Sequence, residues 1–251
     1  MKISMDRIAN MPAFSPYYPL PPARYRNLRN QMVRFCTDPA AVAQYLPEFL
    51  DPAPDGECVA MGIDAPWSSH YGAFQAAVLL AKSTYEAASG YFVVVQFVNS
   101  RGSIPAGREI WGTPKVWAEM RSGFDERVMS TDAVVGGTVA MSVRSTFHRA
   151  CGSDEVPVLA PSWRFKVIPR ADGPGAEVMQ LIDGGTVQGD AVVHVARAGD
   201  GVVEFRPSPV FDLSSLVPRE YLGAYYLEQD FTEMYGRIVR DFVKDPWNPT
   251  A

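Results

Sequence analysis

The chain has 251 residues, 47% hydrophobic and 20% charged, enough to bury a full-sized core. Its formal net charge of −5 argues against a nucleic-acid partner, because phosphate contacts need clustered Lys and Arg. No stretch approaches the roughly 20 consecutive apolar residues of a membrane span. Asp6, Arg7 and Asn10 stand where a signal peptide would carry its apolar run. Cys36, Cys58 and Cys151 are far apart and leave at least one thiol unpaired, which suits a reducing cytoplasm. There is no CxxC, no GxSxG, and none of His70, His148 and His194 has a histidine at i+4, so zinc and serine-triad chemistries have no motif to stand on.

Turn signals recur at short intervals and the segments between them read as strands. Residues 25–37 form the first, ending at Thr37-Asp38-Pro39. Asp38 can cap a helix and Pro39 fits its first turn, so residues 40–46 are expected to be a short helix. Residues 57–63 and 74–85 follow as strands, and residues 91–98 (YFVVVQFV) are apolar enough for a central one. Residues 128–135, Gly136-Gly137 and residues 138–149 read as a hairpin, the glycine pair supplying positive φ. Residues 163–168, 176–182, 190–198 and 202–206 add four strands separated by turns at 172–174, 183–185 and 199–201. Residues 220–242 are ambiguous between helix and strand. The expectation is one mostly β domain over residues 1–251, a barrel or two packed sheets with few short helices.

Only five of the 23 basic residues are lysines: Lys2, Lys82, Lys115, Lys166 and Lys244. Lys115 is set apart by its neighbours Ile110-Trp111-Gly112-Thr113-Pro114 and Val116-Trp117. A lysine confined among such groups loses hydration, which disfavours the ammonium form and lowers its pKa. A neutral amine attacks ketones, and the iminium that results is an electron sink. The same sequence also fits a lysine whose stem lies along the tryptophans while its ammonium reaches water. Composition leaves both open.

Residues 107–115, Gly-Arg-Glu-Ile-Trp-Gly-Thr-Pro-Lys, resemble the acetoacetate decarboxylase family, whose signature is a Gly-Arg-Glu-hydrophobic run reaching Pro-Lys a few residues later. The family's Schiff-base lysine falls on Lys115. Residues 25–47, 161–173, 189–207 with Asp212-Leu213, and 221–242 are similar to further family segments in the same order, so the resemblance spans nearly the whole chain. It implies a cone-shaped, mostly antiparallel β-barrel, a buried apolar pocket, assembly into homo-oligomers, and imine chemistry on a small oxo acid with no metal or organic cofactor. Acetoacetate decarboxylase is itself the standard example of a lysine activated by desolvation or a neighbouring cation, and that mechanism comes with the resemblance.

Three positions depart from the decarboxylase pattern. The second lysine after the nucleophile is Val116, the first-strand arginine is Leu28, and the pocket glutamate falls at Ala76. The family pattern offers Arg26, on the face of Leu28 by the period of two, and Gln75, next to the lost glutamate, as substitutes for binding substrate. Trp111 sits where the family lines its pocket, and Arg108 with Glu109 reads as an ion pair behind it. With Leu28 and Ala76 in place, the resemblance favours condensation of a pyruvate-like acid with an aldehyde, followed by dehydration. Decarboxylation of a 3-oxo acid is the alternative reaction, and a non-catalytic small-molecule binding barrel is the alternative class.

Overall fold

The computed structural model describes residues 3–184 and 190–248. Its elements run β1 (Ala23–Cys36), α1 (Pro39–Ala43), β2 (Asp51–Pro52), β3 (Glu57–Ala65), β4 (Trp67–Ser68), β5 (Phe74–Tyr85), β6 (Ala88–Val98) and α2 (Ser103–Ala106). A π-helical turn over Gly107–Trp111 leads into β7 (Lys115–Trp117), β8 (Glu119–Asp125), β9 (Val128–Val135) and β10 (Thr138–Ala150). Then come β11 (Ser162–Pro169), β12 (Ala176–Asp183), β13 (Val192–Phe205), β14 (Glu220–Glu233) and β15 (Arg237–Asp241).

All the strands belong to one 15-stranded sheet, in the order β15-β12-β11-β6-β5-β3-β1-β14-β13-β10-β9-β8, with β2, β4 and β7 attached at its margins. Pairing is antiparallel except where β6 meets β11 and β7. Along that path the sheet curls, and β8 and β9 pack across the interior onto β5 and β6. The sheet therefore folds over so that β8 and β9 lie against its middle strands, and the fold is the mostly β, barrel-like one the sequence leads us to expect. The apolar interior includes Phe35, Leu79, Phe97, Met129, Met141 and Phe147, each essentially without solvent contact. Gln31 of β1 crosses that interior, its Nε2 donating to the Met129 carbonyl at 2.8 Å and to Ser145 Oγ at 2.9 Å. A buried amide left without such partners costs about 1–3 kcal/mol, so the bridge fixes how the two layers face.

Local chemistry explains most boundaries. Asp38 caps α1 by accepting from the Ala40 amide at 2.9 Å, with Pro39 in the first turn. The helix begins one residue earlier and ends three residues earlier than the expected span 40–46. The hairpin of β9 and β10 turns through Gly136 and Gly137 at φ of 58° and 82°. The ambiguous segment 220–242 is two strands, β14 and β15.

Two readings of the sequence need correction. Residues 190–206 are not two strands around a turn but the single strand β13. Gly199 and Gly201 serve close packing: a Cβ would lie 2.0 Å from the Thr146 carbonyl oxygen at the first and 2.6 Å from Val33 Cγ2 at the second. The charged segment Glu119–Asp125, left unassigned by the periodicity, is the outermost strand β8. Of the turn expected at 183–185, Gly185 lies outside the described residues.

The three cysteines are free thiols. Among the described residues no helix is long and apolar enough to cross a membrane.

Candidate active site

The segment that presents Lys115 is built by two glycines and a proline. Gly107 begins the π-helical turn with no side chain, and a Cβ there would lie 2.5 Å from Lys115 Cδ and 2.7 Å from Cε. Gly112 ends the turn in the left-handed region at φ 70°, where a Cβ would lie 2.5 to 2.7 Å from Lys166 of β11. Only glycine satisfies both demands there. The Thr113 amide donates to the Gly107 carbonyl, and the Pro114 carbonyl accepts from the Gln96 amide at 3.1 Å. That bond docks β7 in parallel on β6 and pairs Lys115 with Gln96. A single π turn inside a helical stretch is a frequent companion of functional side chains.

Lys115 reaches into a cavity of about 410 Å³. Tyr25, Leu28 and Met32 of β1, Phe74 and Val78 of β5, Val93 and Gln96 of β6, Arg164 of β11, and Leu227, Phe231 and Glu233 of β14 contribute to its wall. The Lys115 amine lies 5.9 Å from the centre of the Tyr71 ring and forms no salt bridge among the described residues. Burial is the main cause that depresses its pKa from 10.5 to about 8, with Arg164 adding to the depression and Glu233 opposing it. The contrast with Lys82 is instructive, since that amine sits 2.6 Å from the buried carboxylate of Glu57.

Glu233 is held by Tyr25, whose hydroxyl donates to Oε2 at 2.9 Å. Burial first, and then the Glu233 charge, push the Tyr25 phenol well above its ordinary pKa, so it stays a donor. The Tyr71 hydroxyl is buried with no hydrogen-bond partner among the described residues. Burial and the Glu233 charge raise its pKa as well. The cavity therefore holds one desolvated amine, one carboxylate, one guanidinium and two tyrosine hydroxyls nearby, in a wall that is mostly hydrocarbon but also carries Asn30, Gln96, Thr113, Ser153, Ser162 and Gln229.

Of the residues expected from the sequence to act on substrate, Lys115 lines this cavity, and Arg26, Gln75 and Trp111 do not. Arg26 points away, pairing with Asp230 at 3.6 Å. The cause is a β-bulge: the β1–β14 register shifts between Tyr25 and Leu28, and Asn27 adopts φ 50°. The bulge breaks the period of two, so Tyr25 and Leu28 face the cavity while Arg26 faces out. Gln75 alternates with the cavity-facing Phe74 and lies outside the wall, while its amide binds Asn99 Oδ1 at 2.8 Å. Trp111 is buried beside the lysine segment rather than in the cavity wall, packed with Tyr18 and Ala106 and donating to the Met234 carbonyl at 2.9 Å. Trp117 is 58% exposed and does not line the cavity.

Arg108 and Glu109 do not pair with each other. Adjacent residues on a helical turn point in different directions. Arg108 donates to the Lys115 carbonyl at 3.3 Å, and Glu109 accepts from the Tyr18 hydroxyl at 2.5 Å. The two departures at Leu28 and Ala76 come together in one apolar cluster with Tyr25, Phe74 and Val98.

Sequence reasoning missed Glu233, Arg164, Tyr25 and Tyr71. Arg164 gave a signal, a charge in the middle of the strand Ser-Trp-Arg-Phe-Lys. Glu233 gave none, because its segment could not be assigned to helix or strand and so had no definable face. Among the described residues, no three His, Cys, Asp or Glu side chains gather in a way that could hold a metal ion.

Fold and site together define a family. The sequence profile of the acetoacetate decarboxylase family matches residues 10–243, and the chain belongs to that family. It is 26% identical to an acetoacetate decarboxylase of Chromobacterium violaceum over 95% of this chain and 97% of that one. The crystal structure of acetoacetate decarboxylase from Legionella pneumophila superposes with a TM-score of 0.85 at 24% identity, covering 97% and 98% of the two chains. MppR, an enduracididine biosynthesis enzyme complexed with pyruvate, has the same fold at TM-score 0.77 and 18% identity over 93% and 98%.

Proposed function

We propose that the protein is a lyase that forms an imine between Lys115 and a small oxo acid, and that it uses the imine for aldol condensation and dehydration. The observation that carries this reading is the Lys115 amine, its pKa depressed by burial to about 8, in a mostly hydrocarbon-lined cavity whose wall also carries a carboxylate. A buried amine with that pKa is free often enough near neutral pH to attack a ketone.

Lys115 Nζ adds to the carbonyl carbon of a pyruvate-like acid, and the carbinolamine loses water to give an iminium. Glu233, steadied by the Tyr25 hydroxyl, takes a proton from the carbon beside the iminium and leaves an enamine. The enamine carbon attacks an aldehyde, and the protonated Glu233 returns its proton to the new alkoxide. Glu233 then takes the second proton from the same carbon and delivers it to the hydroxyl, which leaves as water to give a conjugated iminium, and hydrolysis of that iminium releases the product and frees the lysine. The unpartnered Tyr71 hydroxyl is available to hydrogen-bond an oxygen that develops charge on this path. Supporting the choice of reaction, Leu28 and Ala76 put hydrocarbon where the decarboxylase pattern has an arginine and a glutamate. MppR, similar in fold, is seen with pyruvate and with the condensation product of pyruvate and imidazole 4-carboxaldehyde.

Decarboxylation of a 3-oxo acid is the second reading, favoured by the decarboxylases among the sequence relatives. The iminium would then lose carbon dioxide instead of a proton. Supplying pyruvate with an aromatic aldehyde, and separately acetoacetate, decides between them. Growth of a conjugated-product absorbance supports condensation, whereas carbon dioxide release from acetoacetate alone supports decarboxylation.

A further inference from the structure

The Arg164 guanidinium is a buried cation with no carboxylate within salt-bridge distance among the described residues, although the charges of Glu233 and Asp183 act on it from further off. Its Nε has no hydrogen-bond partner among the described residues, and its NH1 reaches only the Ser162 carbonyl, at 3.4 Å. No salt bridge holds it among those residues, although eleven other arginines there have one. The interior makes specific room for the group: a Cβ on Gly184 would lie 1.6 Å from NH1 and 2.6 Å from Cζ. A buried, unpaired guanidinium is costly, and its planar fork matches a carboxylate. Arg164 shares the cavity wall with Lys115, so an anion bound to it stands beside the amine.

Part of the cavity lining has a different character and packs as one hydrophobic cluster. Met32, Met61, Leu80, Val93, Val156 and Leu227 form it, with no charged side chain among them. A cavity of about 410 Å³ falls in the range that encloses drug-sized ligands, well beyond the needs of a three- or four-carbon acid.

We infer that Arg164 binds the carboxylate of the substrate while the apolar chamber binds a bulky hydrocarbon substituent, so that the preferred substrate is an amphipathic oxo acid. The inference rests on the reading of Lys115 as the imine-forming amine for the carbonyl of that acid. It names Arg164 as the residue that makes the site select acids over neutral ketones. Chain length is selected by the chamber.

The test uses the full chain with three probes: pyruvate, 2-oxooctanoate and 2-octanone. Half-saturating concentrations for borohydride trapping are read by intact mass. Octanoate, which has no carbonyl to react, is titrated by calorimetry in parallel. In the native protein 2-oxooctanoate should half-saturate at least tenfold below pyruvate, each buried methylene tightening binding by up to about fourfold. The acid should also be favoured over 2-octanone by tenfold or more. Arg164→Gln should collapse that acid-to-ketone ratio to within about threefold of one and abolish octanoate binding. Arg164→Lys, which keeps the cation but loses the fork, should fall between. The inference is overturned if the ratio is unchanged in both variants, or if pyruvate saturates as readily as 2-oxooctanoate. Octanoate binding that depends on Arg164, without trapping of any oxo acid, would uphold the anchor and refute the imine reading. Trapping at Lys115 that ignores Arg164 would do the reverse.

Discussion

Gly107 and Lys115 are in such close contact that the lysine side chain occupies the place of the Cβ the glycine lacks. A methyl group there would stand 2.5 Å from Lys115 Cδ, 2.7 Å from Cε and 3.1 Å from Nζ. Gly107 has an ordinary helical backbone, φ −61°, so alanine would be accepted by the main chain and resisted only by the lysine. Gly107→Ala is therefore a displacement of the amine rather than of the fold. Imine trapping and turnover should fall by about tenfold or more, since misplacement of a reacting group by an ångström costs up to about 10² in rate. Thermal unfolding should shift by a few degrees at most. A variant of unchanged activity would show that the lysine need not lie where it does.

The pH dependence follows from burial. With the Lys115 pKa at about 8, the neutral amine fraction rises about tenfold per pH unit below that value and levels above it. The profile of kcat/KM for a fixed oxo acid should have an ascending limb near pH 8, and Lys115→Arg should lack activity throughout because guanidinium forms no imine. Stability has a related signature. The folded state disfavours the charged amine, so the penalty is fully present below about pH 8 and fades as pH rises through the unfolded value near 10.5. Lys115→Met should then stabilise the protein at pH 7, by up to roughly 3 kcal/mol, and by much less at pH 10.5. Denaturant titrations at the two pH values check the sign.

Glu233 separates chemistry from capture. Its charge opposes the depression of the Lys115 pKa, so Glu233→Gln should leave the amine free at lower pH. Trapping by borohydride should persist and extend toward acid. Condensation turnover should drop by about 10² to 10⁴, the usual contribution of a positioned general base. If turnover survives in the glutamine variant, proton transfer belongs to another group, and Tyr71→Phe is the next substitution to measure.

Positions 28 and 76 test which reaction the pocket performs. Both are hydrocarbon and share one cluster, where the decarboxylase pattern has an ion-pairable arginine and glutamate. Carbon dioxide release from acetoacetate should be weak in the native protein, below about one hundredth of the rate of a dedicated decarboxylase assayed alongside. Comparable rates would refute the assignment of Leu28 and Ala76 to those roles and with it the preference for condensation.

How far the sequence could be read depended on whether a feature was local. Lys115, its apolar flanks and the turn at Gly136-Gly137 are contiguous in the chain, and the family pattern rests on the same contiguous stretch. Arg26 was misplaced because one extra residue at Asn27 flips the alternation, and a bulge leaves little trace in composition. Gly199 and Gly201 looked like a turn because glycine needed for close cross-strand contact writes the same letters as glycine needed for positive φ. Glu233 and Arg164 stand 118 and 49 positions from Lys115 and meet it only after β11 and β14 have taken their places in the sheet. No spacing rule connects such residues.

The most direct measurement of the central claim is the site of covalent capture. The native protein is incubated with pyruvate or a longer 2-oxo acid, reduced with borohydride, digested and mapped by mass. The adduct should fall on Lys115 alone of the five lysines, since Lys82 is tied to Glu57 at 2.6 Å and Lys244 lies on the surface near Asp241. Lys166, whose pKa burial also lowers, is the stringent internal control. An adduct on Lys166 or Lys82, or none with any oxo acid, would contradict the account and leave a binding barrel as the better description of the molecule.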